Sequence, residues 1–166
     1  MEQYLRVAGI KEDSVVDGPG LRLVVFVQGC PHVCIGCHNP QTHDFNGGKD
    51  MKIKDIVTLT QNNPLLTGVT LSGGEPFCQS EQCAELAHQL KLLGYEIWCY
   101  TGFAFEHLSE IAKFNRSVKG LLLTIDVLVD GPYKQEMRDE TLLFRGSKNQ
   151  RLIVLENGKY KCEWTG

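Results

Sequence analysis

Three cysteines crowd into eight residues. In Gly29-Cys30-Pro31-His32-Val33-Cys34-Ile35-Gly36-Cys37-His38 they are spaced C-x-x-x-C-x-x-C. Thiolates are soft ligands that suit iron–sulfur clusters and zinc. A short loop of this spacing can wrap a cubane, giving one thiolate to each of three irons. The fourth iron then has no cysteine, and a substrate can coordinate it directly. Pro31 fixes one backbone angle and Gly36 permits unusual ones, which suits a tight wrap. Zinc is the alternative, with His38 or His43 completing a tetrahedron. Zinc sites usually draw on two separated ligand pairs, however, and the sequence has no second Cys-x-x-Cys.

A second segment with chemical potential is Leu71-Ser72-Gly73-Gly74-Glu75-Pro76. Two glycines let the backbone approach a ligand closely. A carbonyl at a strand end can receive an ammonium group, and Glu75 adds negative charge for the same purpose. On its own, a Gly-Gly turn before proline is often only a turn. The other candidates have plainer readings. Cys78 and Cys83 could form a redox pair, but Cys83 reads as helix core and Cys78 as incidental. Cys99 and Cys162 read as structural or exposed thiols, and His32, His88 and His107 as surface or packing residues. Arg145, Lys148 and Arg151 form a solvated face or help to dock a partner. Of the two acids flanking a strand end, Asp126 and Asp130, Asp130 is the better site candidate.

Alternating strands and helices must position these loops. Residues 21–27 are β-branched and aromatic, and predict a buried strand. Residues 68–72, 96–100 and 151–155 predict three more, the last closing the fold. In the apolar stretch 121–129, the alternation of Ile125, Val127 and Val129 makes the second half a strand and leaves the first half open. Helices are expected from an Asp50 cap to Gln61, from a Ser80 cap to Leu93, and over 105–112. This βα alternation implies a parallel sheet with right-handed crossovers. An eight-fold barrel typically needs ~250 residues, so 166 residues predict a partial (β/α) barrel, one domain over 1–166. Sites in such sheets lie at the carboxyl ends of strands, where both unusual loops fall.

Composition narrows the class further. Hydrophobic residues make up 42% and charged residues 22%, a globular balance. The net charge of −3 gives no uniformly basic face for nucleic acid. No apolar run approaches the ~18–20 residues that span a bilayer, and charges interrupt any leader-like core. The seven cysteines are an odd number, which argues against a disulfide framework. The expectation is a cytoplasmic domain without a nucleic-acid or membrane partner.

With both motifs in hand, the chain resembles the radical S-adenosylmethionine enzymes. Asp17-Gly18-Pro19-Gly20-Leu21-Arg22 resembles the glycyl-radical activating enzymes among them, in particular those serving anaerobic ribonucleoside-triphosphate reductase. Gly29-Cys30-Pro31-His32, Thr101-Gly102-Phe103, Val127-Leu128-Val129-Asp130-Gly131 and Arg145-Gly146-Ser147-Lys148-Asn149-Gln150 extend that resemblance over nearly the whole chain. It implies a radical-enzyme partial barrel and a 4Fe–4S cluster on Cys30, Cys34 and Cys37. The amine and carboxylate of S-adenosylmethionine would bind the open iron. Gly36, Cys37 and His38 would lie along the nucleoside, and Gly73, Gly74 and Glu75 around the methionine amine. Many members carry an aromatic residue before the third cysteine, where this chain has Gly36.

The implied reaction is reductive cleavage of S-adenosylmethionine, followed by hydrogen abstraction from a reductase glycine by a 5′-deoxyadenosyl radical. The electron would come from a flavodoxin or ferredoxin, and no acid–base pair is needed. The target glycine loop would enter near Asp17, Gly18 and Arg22, with Asp130 as a further candidate. Alternatives are an activase for another glycyl-radical enzyme, such as pyruvate formate-lyase, a zinc-binding interaction module without catalysis, and an electron carrier.

Overall fold

A computed structural model describes residues 2–166; Met1, the first residue of the expected single domain, lies outside them. Strand β1 (Tyr4–Ser14) pairs antiparallel with β2 (Arg22–Val27) on one side and with β3 (Lys49–Lys52) on the other. Then follow α1 (Ile53–Gln61), β4 (Gly68–Gly73), α2 (Ser80–Leu92) and β5 (Glu96–Tyr100). Two short helices, α3 (Phe105–Ala112) and α4 (Arg116–Thr124), lead into β6 (Val127–Asp130). A hairpin of β7 (Arg151–Glu156) and β8 (Lys159–Glu163) completes the described elements.

Among the described residues these strands form one open sheet in the order β3-β1-β2-β4-β5-β6-β7-β8. The four central strands, β2, β4, β5 and β6, are mutually parallel, and antiparallel strands flank them at both edges. This is the expected α/β partial barrel with its parallel centre.

The apolar residues pointing to one face of the sheet, such as Leu23, Val25, Leu71, Ile97 and Leu128, form a single core with Ile56, Leu86, Leu90, Leu108 and Leu121 of the four helices. Each such fully buried side chain contributes roughly 1.5–3 kcal/mol of transfer free energy. The opposite face is shallower. There Trp98, Val127, Val129 and Leu152 are covered by Phe144 and Trp164, whose rings meet Trp98 edge-on at 5.4 and 5.2 Å.

Several boundaries differ from the sequence expectation. Asp50 does not cap α1: it is paired with Arg6 in the sheet, so the helix begins only at Ile53. Ser80 is the first residue of α2 rather than its cap, because Pro76–Gln79 already forms a 3-10 turn ahead of it. The open half of 121–129 is the end of α4, capped by Asn115, whose side chain accepts from the amides of Ser117 and Val118. Strand β7 is not the last, since Asn157-Gly158, both at positive φ, turn the chain back into β8.

What matters for function is the register between β2 and β4. Val27 lies opposite Gly73, so the cysteine loop and the Gly-Gly turn leave the sheet level with each other.

Candidate functional site

The residues after Val27 form a looped excursion that is tied down at its base. The Gly29 amide donates to the Thr42 carbonyl at 2.6 Å and the Cys30 amide to the His43 carbonyl at 3.2 Å. The buried Gln28 side chain donates to the carbonyls of Gln41 and Asp44. Within the loop, the Cys37 amide donates to the Cys34 carbonyl at 3.1 Å, and Gly36 supplies a left-handed φ of 76°. The loop thereby brings Cys30, Cys34 and Cys37 to the wall of one cavity of ≈ 200 Å³, which Gly73 and Gly74 also line.

The Gly-Gly turn packs directly on the cysteine loop. The Gly74 amide donates to the Val27 carbonyl and the Glu75 amide to the Gly29 carbonyl, both at 2.8 Å. A Cβ on Gly74 would collide with the Gly29 carbonyl, and one on Gly73, at φ 88°, with the backbone of Phe26 and Val27. Gly74 is therefore required by the approach of the two loops, and Gly73 by its close packing on β2 and its left-handed φ.

The remaining expected site residues divide between cavity and scaffold. His38 and Asp17 line the cavity with the three cysteines; Ser14 donates its hydroxyl to Asp17 at 2.6 Å. Gly36 faces Gln135 and is not among the cavity-lining residues. Glu75 is fully buried, and its carboxylate accepts from His32 Nε2 at 2.6 Å. Gly18 lies against the Arg22 side chain. Arg22 is itself fully buried; its guanidinium donates to Thr70, to Glu96 and to the carbonyls of Pro19 and Val69. Burial pulls its pKa below the ordinary arginine value, with Glu96 opposing. Asp130 is also buried, bound by Arg151 and by the Phe105 amide. Arg151, with Glu106 as a second partner, is pushed above the ordinary arginine range chiefly by Asp130. Arg22 and Asp130 thus face the fold, while Asp17 faces the cavity.

Sequence reasoning gave no site role to three further lining residues. Tyr133, Gly146 and Gln150 come from the long connection between β6 and β7 and line the same cavity as the cysteines. The Tyr133 ring stands 5.0 Å from that of His38. A Cβ on Gly146 would press on the Tyr133 ring at 3.1 Å, a closeness that the sequence does not show.

Chemically, the donor set suits an iron–sulfur cluster. Three thiols of one loop face one cavity, and the Asn39 amide already donates to the Cys37 sulfur at 3.4 Å. In the same lining, the buried Nε2 of His43 has no partner, a polar atom that a bound group would satisfy. Among the described residues no three His, Cys, Asp or Glu side chains stand as a group for one metal ion. A cubane asks for more widely spread thiols, because each binds a different iron. Burial pushes the Cys30 thiol up, with the Glu75 carboxylate adding to the shift, and deeper burial does the same to Cys83 and Cys99 in the core. Among the described residues no helix is long and apolar enough to cross a membrane.

Residues 16–153 match a family model described as a 4Fe-4S single cluster domain. The chain is similar to the anaerobic ribonucleoside-triphosphate reductase-activating protein of Salmonella typhi, at 35% identity over 145 residues, 82% of this chain and 90% of the relative. The Vibrio cholerae protein of that name is 38% identical over the same shares. That of Enterobacteria phage T4 is 33% identical over 152 residues, 88% of this chain and 92% of the relative. Among solved structures, QueE from Escherichia coli superposes with a TM-score of 0.43 at 15% identity, over 60% of this chain and 52% of that chain; so distant a likeness carries no argument.

Proposed function

Because the chain belongs to the family of anaerobic ribonucleoside-triphosphate reductase-activating proteins, we propose that it is the oxidoreductase that installs the glycyl radical of that reductase. It does so with a 4Fe–4S cluster and S-adenosylmethionine. The observation that carries this reading is the convergence of Cys30, Cys34, Cys37 and the Gly73-Gly74 turn on one cavity at the level ends of β2 and β4.

Cys30, Cys34 and Cys37 would hold the cluster, and S-adenosylmethionine would bind beside it in the same cavity. When bound, the cluster would supply the electron for reductive cleavage of S-adenosylmethionine, the chemistry from which hydrogen abstraction at a reductase glycine follows. The chain's own residues bind, orient and exclude water. Gly73 and Gly74 let the turn sit tight against β2 and the cysteine loop and would present their backbone to the methionine end. Cys37 and His38 would flank the nucleoside, and the Tyr133 ring stands beside that of His38. Asp17 stands at the rim where the glycine loop of the reductase enters. Arg22 serves this entrance from beneath, since its guanidinium holds the Pro19 carbonyl and Thr70, and the Thr70 hydroxyl holds the Asp17 carbonyl.

The sheet is open, so residues of the reductase complete the enclosure that keeps water from the reaction. The electron comes from a carrier of the flavodoxin or ferredoxin type, and the reaction takes place in the cytoplasm. We treat the chain as one domain.

The test is anaerobic reconstitution with iron and sulfide, followed by reduction in the presence of S-adenosylmethionine. A brown protein that releases methionine and 5′-deoxyadenosine supports this reading. A colourless protein that takes up zinc and leaves S-adenosylmethionine intact overturns it.

A further inference from the structure

Glu75 has no acceptor capacity left for a ligand. Its side chain is fully buried, and a carboxylate offers about four lone-pair sites. Four donors fill them. His32 Nε2 lies at 2.6 Å and the Gly102 amide at 2.8 Å from Oε1. The Phe77 amide donates to Oε2 at 3.1 Å, and the Thr101 hydroxyl sits between the two oxygens at 3.0 and 2.8 Å. Thr101 is itself oriented by the Phe103 amide, which donates to its hydroxyl at 3.1 Å. Glu75 is also absent from the cavity lining, whereas His32 belongs to it.

The partner of this carboxylate, His32, is the residue midway between Cys30 and Cys34. Its ring is seated in a fitted niche. Phe103 meets it edge-on at 4.5 Å, and a Cβ on Gly102 would collide with it. Each residue of Thr101-Gly102-Phe103 therefore serves the same pair: a hydroxyl for the carboxylate, an absent side chain for the imidazole, and a ring to wall it in. The cysteine loop is held twice by one residue, at Gly29 through the Glu75 backbone amide and at His32 through the Glu75 side chain.

We infer that Glu75 is a positioning residue: through His32 it fixes the segment from Cys30 to Cys34, and it does not grip the methionine amine. This deepens the proposed function and rests on it. Breaking one partner of a buried charge-assisted hydrogen bond costs about 1.5–3 kcal/mol, on the order of tenfold or more in a rate or affinity that depends on it. Because the two residues act as one unit, their effects do not add.

The experiment is a double-mutant cycle on the reconstituted full chain with His32→Ala, Glu75→Gln and the pair together, alongside His32→Gln, whose amide can still donate to the carboxylate. Two readouts are taken: the rate of iron release to a chelator, and the affinity for S-adenosylhomocysteine relative to its analogue lacking the amine. Each single variant is expected to release iron about tenfold faster or more, and the double variant no faster than the faster single. His32→Gln stays near wild type, and the preference for the amine-bearing ligand is unchanged by Glu75→Gln. Additive effects of the two substitutions on iron release would overturn the inference, as would an amine preference lost in Glu75→Gln but kept in His32→Ala. A wild-type protein that accepts no cluster would overturn the proposed function, and this inference with it.

Discussion

The Glu75 amide donates to the Gly29 carbonyl at 2.8 Å, and that bond ties the two sequence motifs on which the chemistry depends at their bases. Gly74, one residue earlier, lies so close to Gly29 that a Cβ would strike its carbonyl. The turn is first a spacer that sets the base of the cysteine loop, and only then a surface toward a ligand.

Gly74→Ala is therefore expected to damage cluster binding itself, not merely affinity for S-adenosylmethionine. Its Cβ would meet rigid backbone at Gly29 and Val27, which cannot rotate away as a side chain can. Iron and sulfide analysis after reconstitution should show a content well below wild type. A full cluster with weakened S-adenosylmethionine binding would return the turn to a purely ligand-contacting role.

The thiols should divide cleanly. Cys30→Ala, Cys34→Ala and Cys37→Ala are each expected to abolish cluster binding. Cys78→Ala and Cys162→Ala, both at exposed positions, should retain it. Cys83→Ala should also retain the cluster but lower stability by about 1–2 kcal/mol, because it empties space in the packed core. Iron content and urea unfolding separate the two effects. Loss of iron in Cys78→Ala as complete as in Cys34→Ala would refute the ligand assignment.

Cys78 offers a test of the electrostatics around Glu75. Although Cys78 is an exposed residue, partial burial of its thiol, with the Glu75 carboxylate adding to the effect, pushes its pKa up to about 11. The thiolate is the reactive form, so at pH 8 only about one thiol in a thousand is reactive. Alkylation of Cys78 in cluster-free protein should be slow at pH 8 and rise about tenfold per unit until near pH 11. Mass spectrometry of iodoacetamide-treated protein follows it site by site. A rate that levels off near pH 9 would contradict the partly shielded, acid-flanked setting of this thiol.

Arg22 is expected to matter for folding before it matters for a partner. Arg22→Ala removes the donor to the carbonyls of Pro19, Val69 and Glu96 and leaves Thr70 and Glu96 without it. It also removes the cation 5.7 Å from the Trp98 ring centroid. The cost should be about 2–4 kcal/mol in urea unfolding. Asp17→Ala, at the cavity rim, should stay within about 1 kcal/mol of wild type and instead lower radical transfer to the reductase. Equal stability of the two variants would contradict this division.

How much of this was legible in the sequence depends on which forces shaped each segment. β2, β4, β5 and α2 bury most of one face or more, and burial writes periodicity. β3 and β8 have no buried residue; their pairing comes from backbone hydrogen bonds, which leave no apolar pattern. β1 buries only Leu5, Val7 and Ser14 along its eleven residues, and its charges disguised it. The Asn157-Gly158 turn was a readable hairpin signal that the apparent end of the fold at residue 155 obscured. In the site, the cysteines and glycines stood out because their types are rare and their spacing is local. Arg22, Asp130 and Glu75 were read as facing a ligand because sequence shows a charge but not its partner. Their partners lie 74, 21 and 43 residues away along the chain, at Glu96, Arg151 and His32. Tyr133 was unreadable for the same reason, its place being set by a long loop folding back over the cavity.

This chain places a radical on a glycine of anaerobic ribonucleoside-triphosphate reductase. The most direct measurement is electron paramagnetic resonance of that reductase after incubation with the reconstituted protein, S-adenosylmethionine and a reductant. Pyruvate formate-lyase is treated identically for comparison. A glycyl-radical signal is expected on the ribonucleotide reductase that requires S-adenosylmethionine and is lost with Cys34→Ala, and a weaker signal or none on the lyase. No radical on the reductase, despite an intact cluster and S-adenosylmethionine cleavage, would contradict it, and so would preferential activation of the lyase.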